Sequence, residues 1–245
     1  MPASSAQPFF AVSALAEIVF ELCAESLAAC VAAEAGGADR IELCAQLEVG
    51  GLTPPDELVA AAVRVGTPVH AMIRPRAGDF FYTEDEFAAM LDTLERLRDF
   101  GIVGVAAGML TPDGRVDVPR MSRFVERAGA FEVTFHRAFD EVADLDAALE
   151  AVIAAGCQRL LTSGGTADVM TGAARLRELN AQAAGRIQIA AGGGLRLENA
   201  AEVARISGLH QFHGTMRRDG KTDPKAEDVR EAVRLLNLAP RLGSS

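Results

Sequence analysis

Gly36-Gly37-Ala38-Asp39-Arg40-Ile41-Glu42-Leu43-Cys44 joins the end of one element to the start of the next. Glycine just past a helix supplies the left-handed residue that stops it, and the β-prone run behind it reads as a strand. The junction recurs. Gly101 precedes Gly104–Leu110, Gly156 precedes Arg159–Thr162, Gly185 precedes Ile187–Ala190, and Gly208 precedes Leu209–His213. Ile18–Cys23, Val69–Arg74 and Glu132–Asp140 bring the strand candidates to eight. Their starts are spaced by about 27 residues on average, roughly one βα unit.

Helix starts fall between these strands. Thr53-Pro54-Pro55-Asp56 predicts a capping threonine ahead of a first-turn proline. Thr83-Glu84-Asp85-Glu86 predicts a capping box before the stripe Phe87, Met90, Leu91, Leu94 and Leu97. Asp223-Pro224 predicts the start of a last helix ending near Leu236. Strands and helices that alternate without a mid-chain linker predict an α/β chain folded as a (β/α)8 TIM barrel, a single domain over residues 17–238. Residues 1–16 read as an N-terminal extension and 239–245 as a C-terminal tail. A doubly wound open sheet is the competing architecture.

The 245 residues carry 24 Lys+Arg against 34 Asp+Glu, a net charge of −10, which disfavours a nucleic-acid partner. No apolar run is long enough to predict a membrane span. Phe9–Phe20 is apolar but contains Glu17, and no Lys or Arg precedes Arg40, so the expected location is cytoplasmic. Cys23, Cys30, Cys44 and Cys157 form no CxxC pair and are expected to be reduced.

In such a barrel chemistry sits at the C-terminal ends of the strands. Glu21-Leu22-Cys23 and Glu42-Leu43-Cys44 repeat one tripeptide on neighbouring strands, and the period of two puts each Glu on the face of its own Cys. His70, Met72 and Arg74 share a face, as do Thr134 and His136. If Glu21, Glu42, Arg74 and His136 face the lumen, burial favours one mutually hydrogen-bonded network, either filling the barrel or performing chemistry. The ends Thr162-Ser163-Gly164-Gly165, Gly192-Gly193-Gly194 and His213-Gly214-Thr215 either permit tight turns or bind an anion. The candidate anion-binding residues are Arg76, Ser163, Gly193, Gly194, His213 and Gly214. Cys23 and Cys44, read as in register at the mouth, are either core residues or a soft-metal pair. Cys30 and Cys157 read as packing residues.

These motifs, with Gly50-Gly51-Leu52-Thr53-Pro54, Met72-Ile73-Arg74-Pro75-Arg76, Leu110-Thr111-Pro112-Asp113-Gly114 and Thr134-Phe135-His136-Arg137-Ala138-Phe139-Asp140, resemble the CutC family of copper homeostasis proteins over about residues 18 to 236. The resemblance implies a TIM barrel, a cytoplasmic location, homo-oligomerisation as a homodimer or homotetramer, and Cu(I) bound by Cys23 and Cys44. Ala77, Ala190-Ala191 and Thr215-Met216 depart from the family's usual residues. Two functions follow. One is copper handling through Cys23 and Cys44. The other is an enzyme acting on a small phosphorylated or carboxylated metabolite, with Arg74 clamping the anion, His136 or Glu42 moving a proton and Glu21 orienting the base. The paired cysteines and the resemblance favour copper homeostasis as the expected function.

Overall fold

Eight parallel strands, β1 (Val19–Ala24), β2 (Arg40–Leu43), β3 (Val69–Met72), β4 (Gly104–Ala107), β5 (Glu132–Phe135), β6 (Arg159–Thr162), β7 (Gln188–Ala191) and β8 (Gln211–Gly214), close in chain order into a barrel, β8 pairing with β1. The computed structural model describes residues 17–218 and 222–239. After the strands come α1 (Leu27–Gly36), α2 (Asp56–Ala62), α3 (Glu84–Leu97), α4 (Val118–Ala128), α5 (Leu145–Ala154), α6 (Val169–Ala183), α7 (Ala200–Ser207) and α8 (Ala226–Leu238). The expected extension over 1–16 and all but Ala239 of the expected tail lie outside the described residues.

The strand period sorts the core into two compartments. Phe20, Leu22, Ile41, Leu43, Val105, Val133, Phe135, Leu160, Ile189 and Phe212 point outward into the apolar layer under the helices. The alternate positions point into the lumen, where Glu21, Glu42, His70, Thr134, Arg159 and His213 are all buried. Nearer the mouth, Cys23, Cys44, Met72 and Ala106 form a separate small apolar cluster. The lumen is therefore charged below and sulfur-rich above.

Helix boundaries follow local chemistry. Gly37 adopts φ 81° and donates to the Ala33 and Glu34 carbonyls, closing α1 as the Gly-Gly junction predicts. The Thr83 capping box is present, and Phe87, Met90, Leu94 and Leu97 of its stripe are buried. Two expected caps differ. The N-cap of α2 is Pro55, without a side-chain bond, and Thr53 instead pairs with both backbone groups of Arg74 at 3.0–3.1 Å. Consecutive prolines move the helix start beyond the reach of Thr53. Likewise α8 begins at Ala226, because Asp223 is engaged by Ser26 (2.5 Å) and Arg217 (3.2 Å).

Candidate functional site

Glu21 anchors the lower lumen. Its Oε2 accepts from Arg159 Nη1 at 2.9 Å, and its Oε1 lies 2.7 Å from His213 Nδ1. Arg159 also donates to Thr134 Oγ1 (3.1 Å) and Gln211 Oε1 (3.0 Å). Burial pushes the Glu21 carboxyl up, but Arg159 and His213 outweigh it and hold the group well below the usual carboxylate range. His213 is the mirror case. Burial disfavours the imidazolium, yet the Glu42 and Glu21 carboxylates overcome that and raise its affinity for a proton.

Above this layer Glu42 leads to the sulfurs. Its Oε2 lies 3.7 Å from His213 Nε2 and accepts from the Cys23 thiol at 3.5 Å. The Cys23 and Cys44 sulfurs are 3.9 Å apart, and the Cys44 thiol donates to the Ala24 carbonyl at 3.6 Å. The expected register is corrected by the ladder. Cys23 stands opposite Glu42, not Cys44, so the sulfurs meet across the stagger of the two strands. The hydrogen bond with Cys44, then burial and the Glu42 carboxylate, push the Cys23 thiol well above its usual range. Burial also raises Glu42, with the Glu21 charge adding to it and His213 opposing. Cys23, Glu42 and His213 offer ligand atoms within 4.8 Å of one another.

Two histidines need glycine to fit. A Cβ at Gly104 would come 2.4 Å from the His70 ring, and one at Gly108 would come 2.5 Å from the His136 ring. Desolvation dominates at both imidazoles and pulls each down to about 3. His70 Nε2 lies 3.4 Å from the Glu132 carboxylate, but burial keeps the ring neutral, so that contact is no ion pair.

A cavity of about 930 Å³ opens over these groups. Cys23, Glu42, Arg74, His136, His213 and Gly214 line it, as do Gly193 and Gly194. Cys44 is fully buried behind Cys23, and Glu21 lies beneath the lining. The single network expected of Glu21, Glu42, Arg74 and His136 is divided. Glu21 and Glu42 share His213, whereas Arg74 donates to the Val49, Gly51 and Gly78 carbonyls and His136 accepts from the Ala138 amide. The Arg74 guanidinium reaches past the strand to the loops, where backbone oxygens are its nearest acceptors. Two expected anion ligands are also committed elsewhere. Arg76 binds Glu86 (2.5 Å) and Asp79 (3.0 Å) outside the cavity, and the Ser163 hydroxyl donates to the Thr166 carbonyl. Arg159, the counter-charge of Glu21, was not anticipated from sequence; its strand phase, two residues before Leu161, carried the signal.

The CutC family model matches residues 18–218. A family protein CutC from Chromobacterium violaceum is 48% identical over 200 residues, 81% of this chain and 81% of its own length. One from Bacteroides thetaiotaomicron is 43% identical over 208 residues, 84% of each chain. The solved CutC structure from Streptococcus agalactiae, named for copper homeostasis, is similar at 29% identity and TM-score 0.76, covering 82% of this chain and 99% of its own. A KDPGal structure at 15% identity and TM-score 0.56 shares the fold alone.

Proposed function

The chain belongs to the CutC family, and from that premise we propose that it handles copper by holding Cu(I) between Cys23 and Cys44. The observation that carries the reading is the 3.9 Å separation of two buried sulfurs at the barrel mouth. With metal–sulfur bonds of about 2.3 Å, that separation corresponds to a sulfur–metal–sulfur angle of roughly 115°, trigonal rather than linear. A third donor is therefore called for, and His213 offers one, its ring nitrogen lying within 4.8 Å of the Cys23 sulfur. Soft thiolates with one imidazole suit Cu(I), which accepts low coordination numbers, better than Zn(II), whose structural sites take four donors.

Binding releases protons. The Cys23 thiol, raised by Cys44 and by burial, must ionise to bind, so the affinity falls as pH drops. The reading carries with it a cytoplasmic location and a homodimer or homotetramer, which light scattering coupled to gel filtration checks. Anaerobic Cu(I) titration against a chromophoric chelator tests the site itself. One equivalent retained by the wild type and lost in Cys23→Ser/Cys44→Ser supports it.

A further inference from the structure

At the ends of β3 and β5, Arg74 and His136 flank one aromatic ring. The Arg74 guanidinium carbon lies 4.6 Å from the Phe80 centroid, and the His136 ring centroid lies 5.0 Å from it. Arg74 is 5% exposed, yet among the described residues it forms no ion pair. Its Nη1 and Nη2 donate to carbonyl oxygens, with the Tyr82 hydroxyl also beside the guanidinium, and its buried Nε has no hydrogen-bond partner. Carbonyl dipoles compensate a buried cation poorly, and such a charge on a cavity wall marks a place for an anion.

His136 adds a second donor. Its Nδ1 accepts from the Ala138 amide at 3.2 Å, which leaves the ring proton on Nε2. That nitrogen is buried and without a partner. The imidazole, pulled down to about 3, is a neutral N–H donor throughout the physiological range. The surroundings agree in sign. Arg137, Arg196, Arg217 and Arg218 line the same cavity beside Arg74, against Glu42, Asp140 and Glu141, in a protein whose net charge is −10. Arg196 makes no side-chain ion pair among the described residues, whereas Arg137, Arg217 and Arg218 pair with carboxylates.

We propose that Arg74 and His136 form an oxyanion site for a small organic molecule bearing a carboxylate or phosphate group, distinct from the sulfur pair. Both nitrogens are covered by protein atoms beside the Phe80 ring, so a side chain of the cavity wall must move before the oxyanion reaches them. Charge-assisted bonds from Arg74 and a neutral bond from His136 then satisfy two donors that are otherwise orphaned.

Copper-free protein titrated with inorganic phosphate and with malonate, followed by the His136 ring nitrogens in long-range proton–nitrogen NMR, tests the site. The Nε2 resonance should move saturably with at least one probe. Arg74→Lys, which loses Nε, should weaken that binding by roughly tenfold, the loss of about one charge-assisted bond. His136→Gln should weaken it severalfold and decides the matter if Arg74→Lys does not fold. Cys23→Ser/Cys44→Ser should bind the probe as the wild type does, which separates this site from copper. A silent His136 nitrogen with both probes, or undiminished binding by His136→Gln, overturns the proposal.

Discussion

The Cys23 and Cys44 sulfurs lie 3.9 Å apart although the residue opposite Cys23 on the neighbouring strand is Glu42. The stagger between β1 and β2 brings the sulfurs together and at the same time sets the Glu42 carboxylate 3.5 Å from one of them. The soft pair is thus coupled to an acid. At the alkaline pH where the thiol titrates, Glu42 is ionised and opposes the thiolate, so Glu42→Gln should lower the Cys23 pKa. Ultraviolet thiolate absorbance against pH, in a background with Cys30, Cys44 and Cys157 replaced by serine, reads this directly; an unmoved titration would detach Glu42 from the sulfur.

A buried ion pair lies below the sulfurs. Glu21 and Arg159 are each 1% exposed and 2.9 Å apart. Arg159→Met leaves the Glu21 carboxylate with only His213 and the longer Arg40 contact at 3.4 Å, and should cost about 3–5 kcal/mol. Glu21→Gln/Arg159→Met should recover part of that loss, because the unbalanced carboxylate is gone while His213 keeps Glu42 as a counter-charge. Urea unfolding of the three proteins measures it, and equal stability of the single and double variants would contradict the pairing.

Acid should weaken the fold through two histidines. Both His70 and His136 are pulled from 6.5 to about 3 by burial. Between those values the unfolded chain binds protons that the folded chain refuses. Stability is therefore full above 6.5 and falls as pH drops toward 3, by several kcal/mol for the pair. Unfolding free energies at pH 7 and pH 5 should differ less in His70→Gln/His136→Gln than in the wild type. An unchanged difference would mean that the rings are not held neutral.

Close backbone packing fixes the β6 end. A Cβ at Gly172 in α6 would stand 1.8 Å from the Ser163 carbonyl oxygen. Gly172→Ala should destabilise by about 1–3 kcal/mol through overpacking, despite alanine's better helix propensity. Thermal unfolding checks the sign; a stabilised variant would show that α6 shifts freely.

Glycine junctions and the period of two made the barrel legible, because Gly37 and its counterparts stop helices by backbone geometry, which is local. The same period placed Glu21, Glu42, Cys23, Cys44 and His136 in the lumen. Partners were harder to read. Nothing local says that Glu21 meets Arg159, 138 positions away, or that Arg74 turns to loop carbonyls. The strand stagger that sets Cys23 opposite Glu42 is likewise a property of closing the sheet, not of either tripeptide. Thr53 and Asp223 misled because their side chains found tertiary partners in place of helix amides.

Copper retention by the sulfur pair distinguishes a metal site from a packed core. Under anaerobic conditions, at neutral pH and again at lower pH, Cu(I) should be competed from a chromophoric chelator by the wild type and not by Cys23→Ser/Cys44→Ser. The wild-type affinity should fall with pH as protons reclaim the raised Cys23 thiol. Equal copper retention by the two proteins would rule out Cu(I) binding by this pair and leave Cys23 and Cys44 as packing residues.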